Sequence, residues 1–127
     1  MARKKDPNLT PKEEEVMQML WTHGPLKVRE MQELYPEPRP HVNTISTVVR
    51  SLEEKGYVGH ESTGWSFRYH HIYQKNDFRK RSLGKLVKSY FDNNYLGAVS
   101  TLVEEEKISV DDLKELINII ENNKNNV

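Results

Sequence analysis

The stretch RPHVNTISTVVRSLEEKGYV, residues 39–58, has the pattern of a helix with two opposite faces. Apolar residues recur in it at helical spacing, which predicts one buried stripe: Ile45, Val48, Val49 and Leu52. Polar residues recur at the same spacing on the other side: Asn43, Ser46, Thr47 and Arg50. Gly56 predicts the end of the helix, because glycine readily adopts the left-handed conformation that closes many helices.

The polar face of this helix has an unusual composition. In a chain with 30% charged residues an outer face normally carries Glu and Lys, yet the first carboxylates come only at Glu53 and Glu54. Asn, Ser, Thr and Arg side chains hydrogen-bond to base edges and phosphates without repelling them. The face is therefore either a DNA-recognition surface or a solvated face that is poor in acids, and the neighbouring segments decide between these.

Two shorter helices are predicted before this one. Thr10-Pro11-Lys12-Glu13 is a capping box with proline at the first helical position, so the first helix opens at Thr10. A short strand at Leu26 and a second helix over about 28–35 follow, the helix with four residues inward: Val28, Met31, Leu34 and Tyr35. Three short helices, the third with a polar outer face, predict a helix-turn-helix domain.

After Gly56 the pattern changes to a period of two, which predicts a β-hairpin. One strand covers residues 57–61, a turn covers 62–65 and the returning strand covers 66–73. A hairpin in this place is a wing, and its tip residues Ser62, Thr63 and Trp65 can lie along a phosphate backbone or in a minor groove. For Trp65 a cross-strand aromatic contact is slightly favoured. Arg68 is equally compatible with a phosphate contact and a solvated strand position.

Three further helices are predicted at about 76–92, at 95–105 and from Ser109, where Asp112 completes a second capping box. Their apolar stripes exceed what ~45 residues bury by themselves. Each apolar side chain left exposed forgoes roughly 1.5–3 kcal/mol, so we expect these helices to interleave with those of a second subunit. The predicted dimer interface comprises Leu83, Leu86, Val87, Tyr90, Phe91, Leu96, Val99, Leu102, Val103, Leu113, Leu116, Ile117 and Ile120.

Composition narrows the class of protein. The chain has 127 residues, 35% of them hydrophobic, and no cysteine, so it has no disulfide framework and no thiolate metal site. It lacks the run of ~18 apolar residues that a membrane span needs and the apolar core of a signal peptide. We expect a cytoplasmic protein without membrane insertion, with a winged-helix domain at 8–74, a helical dimerisation domain at 75–123 and flexible termini at 1–7 and 124–127.

Charge divides the chain into two parts although the formal net charge is zero. Up to Arg81 there are 14 Lys and Arg residues against 11 Asp and Glu, an excess of three positive charges. From Ser82 onward there are 5 against 8, an excess of three negative charges. A basic N-terminal part and an acidic C-terminal part indicate two different tasks.

The sequence gives little support for a catalytic site or a metal site. His60, His70 and His71 are spread over two predicted strands, His70 and His71 point to opposite faces, and no Cys or carboxylate completes a ligand set. No metal and no cofactor is predicted. The sequence shows no nucleophile–base pair and no phosphate-binding loop, so an enzyme is not expected. The remaining alternative is a winged helix that contacts proteins without sequence-specific DNA binding.

The order of these segments resembles the penicillinase-repressor family (BlaI/MecI/CopY), in which a winged helix precedes a helical dimerisation tail. The similarity covers nearly the whole chain, from Leu9 to about Asn122. Three strings carry it: NTISTVVRSLEEKGYVGH, RYHHIY and LVEEEKISVDDLKELINII. The first string, residues 43–60, is the most specific. The predicted fold is mainly α with a small β-hairpin: a winged helix-turn-helix domain and a C-terminal three-helix dimerisation region.

Members of that family are homodimeric transcriptional repressors that bind inverted-repeat operators on double-stranded DNA. The resemblance implies that residues 43, 44, 46, 47 and 50 face the major groove, and that the start of the first helix and the wing contact phosphates. The candidate DNA-binding residues are Thr10, Lys12, Arg39, His41, Asn43, Thr44, Ser46, Thr47, Arg50, Ser62, Thr63 and Arg68.

The resemblance also implies a class of regulated genes and a mode of induction. Family members commonly control β-lactamase or penicillin-binding-protein genes, and a membrane sensor protease induces them by cutting the C-terminal helical part. The members that are cut have an Asn-Phe pair where this chain has Thr101-Leu102, so either that protease does not induce this chain or the protease has a different preference. The copper-responsive branch carries a cysteine-rich arm, which this chain lacks.

Overall fold

The computed structural model describes residues 9–125, with side chains described as far as Asn123. Its elements are α1 Pro11–His23, β1 Leu26–Lys27, α2 Val28–Leu34, α3 Val42–Glu54, β2 Val58–Thr63, β3 Ser66–His71, α4 Lys75–Phe91, α5 Tyr95–Glu104 and α6 Val110–Asn125. The fold is mainly helical with a small antiparallel sheet, as predicted. The expected flexible termini lie outside the described residues, except that 124 and 125 belong to α6.

The chain forms two compact units that divide between Ser82 and Leu83, inside α4. The first unit holds α1 to β3 and the start of α4. The second unit holds the rest of α4, α5 and α6. The domain boundary predicted from the sequence, between residues 74 and 75, lies at the start of α4.

The core of the first unit combines the apolar stripes of three helices with one face of the sheet. Its buried side chains are Val16, Met17, Leu20, Leu26, Met31, Ile45, Val49, Leu52, Tyr57, Val58, Tyr69 and Tyr73. The stripe predicted for α3 lies in this core or packs against it, and α1 contributes Val16, Met17 and Leu20. Since the apolar side of α3 is buried here, its polar side faces outward.

The prediction that Leu34 of α2 points into the core is wrong. Leu34 is 41% exposed, because α2 ends at this residue after only seven positions. The chain then becomes extended at Tyr35, which packs against the core in its place. The short strand predicted at Leu26 is confirmed as the start of β1.

The sheet is antiparallel in the order β1-β3-β2, with Leu26 opposite Tyr69 and Val58 opposite His71. The turn predicted over residues 62–65 is shorter in the structure, because Thr63 at the end of β2 pairs with Ser66 at the start of β3. The turn therefore consists of residues 64 and 65. Gly64 has a φ of +76° and is the first of two turn residues, as a type II′ turn requires. Residues 62 and 63 therefore belong to β2.

A buried carboxylate joins α1 to α3. Glu13 is 3% exposed; its Oε2 accepts a hydrogen bond from the Ser51 hydroxyl and its Oε1 accepts one from the Lys55 ammonium, both at 2.8 Å. The predicted capping box is confirmed, because Thr10 N–H donates to Glu13 Oε1 at 2.9 Å and Glu13 N–H donates to Thr10 Oγ1 at 3.1 Å. Burial raises the pKa of Glu13, but these hydrogen bonds and the Lys55 charge outweigh it and hold that pKa below its ordinary value.

Both ends of α3 are closed by local hydrogen bonds. At its start, the imidazole Nδ1 of His41 accepts the Asn43 N–H at 3.0 Å. At its end, Gly56 has a φ of +82°, and the N–H groups of Gly56 and Tyr57 donate to carbonyls of the last turn at 3.0 Å. This is a Schellman motif, so the helix end predicted from Gly56 is confirmed.

Two helices of the second unit have side-chain caps, and the sequence predicts the cap of α6. Ser109 N–H donates to Asp112 Oδ2 at 2.9 Å, and Asp112 N–H donates to Ser109 Oγ at 3.0 Å, which is the expected capping box of α6. The side-chain oxygen of Asn94 caps α5 by accepting the Gly97 N–H at 2.8 Å.

The second unit leaves most of its apolar side chains exposed. Among its described residues Val87 is buried, while Phe91 and Leu113 are half-buried. The exposed large apolar side chains are Leu83, Leu86, Tyr90, Tyr95, Leu96, Val99, Leu102, Val103, Val110, Leu116, Ile117, Ile119 and Ile120. Within residues 9–125, no helix combines the length and apolar character that crossing a membrane requires.

Glu13→Ala should lower the free energy of unfolding by about 1–3 kcal/mol, because it leaves the partly buried Ser51 and Lys55 donors without their charged acceptor. Urea denaturation followed by circular dichroism measures this change. Glu14→Ala is the matched control: Glu14 is exposed in the same helical turn, and we expect a loss below about 0.5 kcal/mol. Equal losses in the two variants would contradict the proposed role of Glu13.

The same carboxylate should make stability depend on pH. Because the pKa of Glu13 is lower in the folded chain than its ordinary value of 4.5, ionised Glu13 stabilises the fold above that pH. This stabilisation is lost as the pH falls through the folded pKa. The difference in unfolding free energy between wild type and Glu13→Gln should therefore be constant from pH 7 to about pH 5 and shrink in more acidic solution. A difference that grows on acidification would contradict the assignment.

Candidate nucleic-acid interface

The outer face of α3 is polar and accessible. Asn43, Thr44, Thr47 and Arg50 are exposed, and Ser46 is half-buried. The opposite face contributes Ile45, Val49 and Leu52 to the core. The separation predicted from the periodicity of this helix is thus present, and five side chains that can bond to bases or phosphates share one surface.

Hydrogen bonds to the helix backbone restrict two of these side chains. The Thr47 hydroxyl donates to the Asn43 carbonyl at 2.9 Å, and Arg50 Nε donates to the Ser46 carbonyl at 3.3 Å. Each bond spans one helical turn, so both side chains lie back along α3. The Arg50 guanidinium retains further donors, which suits a phosphate contact.

The carboxylates that flank this face along the chain each have a partner. Glu53 Oε2 lies 2.6 Å from His60 Nδ1, which ties the last turn of α3 to β2. Between Glu37, in the preceding loop, and Glu53, the chain carries no acidic residue. Glu37 itself pairs with Arg39 at 3.7 Å. Residues 42–52 therefore bring no negative charge of their own to a phosphate backbone, and the acid placed beside them by the fold is Glu15 of α1, which lines a cavity with Thr44.

Two more candidate residues lie beside the start of α3. Lys12 is exposed in the first turn of α1 and lines, together with Thr44, a cavity of about 250 Å³. Thr10 is exposed at the N-terminus of the same helix, where its hydroxyl oxygen already accepts the capping hydrogen bond. The structure thus brings the first turn of α1 next to the polar face of α3.

A larger cleft of about 420 Å³ lies between the start of α2, α3 and β3. Its lining residues are Lys27, Val28, Arg29, Val42, Ser46, Ser66, Phe67 and Tyr69. None of these residues is acidic, and two are basic. Sequence reasoning missed Lys27 and Arg29: the basic residues on either side of Val28 were a signal, but only the fold brings them next to Ser46.

The wing carries polar residues along its length and an apolar residue at its tip. Ser62, Thr63 and Arg68 are exposed, and Arg68 lies opposite Glu61 in the strand register. The favoured interpretation of Trp65 as a cross-strand aromatic is wrong. Trp65 is fully exposed because it occupies the second position of the two-residue turn, beyond the end of the strand pairing.

The histidines of the wing do not converge. His60 bonds to Glu53, while His70 and His71 lie opposite Gly59 and Val58 on neighbouring rungs of the hairpin. In the part of the chain that the structure describes, no group of three or more His, Cys, Asp or Glu side chains could hold a metal ion.

Comparison with known proteins identifies the family. Residues 9–122 match the family model described as penicillinase repressor. The chain belongs to the penicillinase-repressor family. This family member is 26% identical over 123 residues to the penicillinase repressor of Bacillus licheniformis, with 96% of each chain covered. It is 22% identical over 107 residues to the methicillin resistance regulatory protein MecI of Staphylococcus aureus, which covers 84% of this chain and 87% of MecI.

A solved structure supports the fold of this family member. Transcriptional regulator Tm0710 from Thermotoga maritima superposes with a TM-score of 0.53 at 21% identity, over 91% of this chain and 79% of that chain. At this level of identity the likeness concerns the fold. The family is one of transcriptional repressors rather than enzymes, so its members act by binding DNA.

Arg50→Ala should weaken DNA binding and lower the slope of log affinity against log salt concentration by about one unit, the effect expected for one lost phosphate contact. Fluorescence anisotropy at salt concentrations from about 50 to 200 mM measures both quantities. Lys107→Ala removes the same charge from an exposed position of the second unit and serves as the control. Unchanged affinity and slope in Arg50→Ala would remove Arg50 from the interface.

Proposed function

We propose that this chain is a homodimeric repressor that binds an inverted-repeat operator through its winged helix-turn-helix. The observation that carries the proposal is the exposed face of α3, which holds Asn, Thr, Ser and Arg side chains and has no carboxylate before Glu53. A face of this composition matches the hydrogen-bonding pattern and the charge of a DNA groove. Membership of a repressor family supports the same conclusion.

The exposed apolar side chains of the second unit support a dimer. Tyr90 is 80% exposed, Leu96 is 77% exposed and Ile120 is 57% exposed in the single chain. Covering each such side chain would contribute up to roughly 1.5–3 kcal/mol. Val87 is 1% exposed and has little surface left to offer a partner, so the proposed interface is built from the other predicted residues.

A second copy of the same chain is the simplest partner for such a surface. Most soluble homo-oligomers are two-fold dimers in which the same patch meets itself. Two-fold symmetry would present two copies of α3 to DNA, separated by about one helical repeat of ~34 Å. An operator with two inverted half-sites follows from that symmetry.

The residues of α3 have distinct proposed roles. Asn43 is near the start of the helix and can pair with adenine through both groups of its amide. The methyl groups of Thr44 and Thr47 can pack on thymine. Arg50 lies two turns along, where recognition helices rise out of the groove, and we assign it to a phosphate. Arg29, in the cleft beside Ser46, is a further phosphate contact in this proposal.

Repression would follow from occupation of a promoter. We propose antibiotic-resistance or stress-response genes as targets, because the curated relatives are a penicillinase repressor and a methicillin resistance regulatory protein. We further propose that a membrane sensor protease relieves repression by cutting between Thr101 and Leu102. Both residues are exposed in α5, and a cut there would separate α6 from the rest of the chain.

The alternative is a winged helix that contacts proteins without reading DNA sequence. A selection experiment separates the two. The purified full chain is incubated with fragmented genomic DNA from its own source at physiological salt, and the retained fragments are sequenced. The repressor proposal predicts enrichment of a short inverted repeat upstream of a few genes. Retention without sequence preference, or no retention, would contradict the proposal and favour the alternative.

Leu116→Asp should convert the dimer into a monomer that binds DNA poorly, because it places a charge on the proposed interface. Leu116 is exposed in the single chain, so the substitution should leave the helix folded. Analytical ultracentrifugation measures the oligomeric state. Asn118→Asp adds the same charge at an exposed position off the apolar stripe of α6 and should remain dimeric. Dimers of Leu116→Asp would show that the interface lies elsewhere.

Relief of repression by proteolysis predicts a defined cleavage product of this chain in the source cells. After exposure to a β-lactam, intact-mass analysis of the repressor should show a fragment ending at Thr101 as the regulated genes are induced. Thr101→Lys changes the residue before the proposed cut and leaves the interface residue Leu102 in place, so this variant should resist the cut and remain dimeric. Induction while the full-length chain persists would contradict proteolytic relief.

A further inference from the structure

We propose that Trp65, at the tip of the wing, inserts into the minor groove next to the major groove that α3 occupies. This inference rests on the proposed DNA binding of α3 and adds to it a contact that reads groove shape. It assigns a role to the one large aromatic side chain that the first unit leaves fully exposed in the residues described.

The local structure gives Trp65 no other task. No described ring stacks on it, and it lies beyond the last strand pair, Thr63 with Ser66. The turn is closed without its side chain, because Gly64 supplies the positive φ and the Thr63 hydroxyl donates to the Ser66 carbonyl at 3.2 Å. A polar residue would form this turn equally well. An indole exposed here lacks the favourable free energy that burial of its apolar surface would give.

The fold places the wing tip on the same side as the polar face of α3. Ser66, the residue after Trp65, lines the 420 Å³ cleft together with Ser46 of α3. The next residue of β3, Phe67, lines the same cleft and is also half exposed. The wing tip is therefore continuous with the surface that faces DNA in the proposed complex.

The reach of the hairpin fits the spacing of the grooves. Major and minor grooves alternate, and their centres are about half a helical repeat apart, ~17 Å. A strand of six residues, the length of β2 and of β3, spans roughly 20 Å. With α3 in the major groove, the tip of such a hairpin reaches the neighbouring minor groove.

The charges around the tip also suit DNA. Residues 62 to 67 carry no ionisable side chain, and the nearest acid, Glu61, lies opposite Arg68. Lys27 and Arg29 line the cleft behind the tip and can hold the phosphates on either side of the inserted ring. Apolar side chains that enter the minor groove in this manner partly unstack a base step and bend the duplex.

Trp65→Ala should weaken binding to the inverted-repeat duplex from the selection by about tenfold, whereas Trp65→Phe should retain most of the affinity because stacking on a base needs only an aromatic face. Both variants should fold normally, since Trp65 packs against no described residue. Ile72→Ala is the control, because Ile72 is exposed at the opposite end of the hairpin.

Tryptophan fluorescence reports the contact directly. The chain has two tryptophans; Trp21 is held in the folded unit by a 2.9 Å hydrogen bond from its Nε1 to the Tyr73 carbonyl and by a tilted contact with the Phe78 ring. Saturation with the duplex should quench the wild-type emission and leave that of Trp65→Phe unchanged. Netropsin, which occupies the minor groove, should reverse the quenching.

The outcomes separate this inference from the proposed function. If the wild type binds sequence-selectively, Trp65→Ala binds equally well and the emission does not change, then Trp65 is not inserted. The proposed repressor function would be unaffected by that result. If the wild type shows no sequence-selective binding to the same duplex, both the proposed function and this inference are overturned. Quenching that occurs on dimerisation without DNA would assign Trp65 to a protein contact and would also overturn it.

Discussion

Burial of Ile45, Val49 and Leu52 fixes the rotation of α3 about its own axis. Because this stripe can be buried in only one orientation, the polar side chains on the other face must point outward. The Glu13 hydrogen bonds to Ser51 and Lys55 add directional contacts between α1 and α3, which apolar packing alone does not provide. The candidate DNA surface is thus a consequence of how the core is packed.

The sequence predicted those features that depend on neighbouring residues. The two capping boxes, the end of α3 at Gly56 and the strand–turn–strand order of the hairpin are local patterns, and the structure has all of them. The end of α2 was less predictable. Whether Leu34 or Tyr35 enters the core depends on where a seven-residue helix stops, which the apolar spacing by itself does not determine.

The parts of the candidate site that the sequence did not reveal depend on distant contacts. Glu13 and Ser51 are 38 positions apart, so the capping pattern at Thr10 gave no sign of the second set of hydrogen bonds. Lys27 and Ser46 line one cleft only because α2 and α3 pack beside β3. The sequence favours a cross-strand contact for Trp65, but the pairing of Thr63 with Ser66 shortens the turn to two residues and leaves Trp65 beyond the strands.

In the proposed complex Asn43 reads one base pair in each half of the operator. The most direct test is to repeat the DNA selection with the Asn43→Ala variant, using a random-sequence duplex library. We expect an inverted repeat that has lost its preference at one position in each half-site, at symmetric places, while the other positions remain selected. An unchanged preference, or one that weakens uniformly at every position, would contradict base reading by α3.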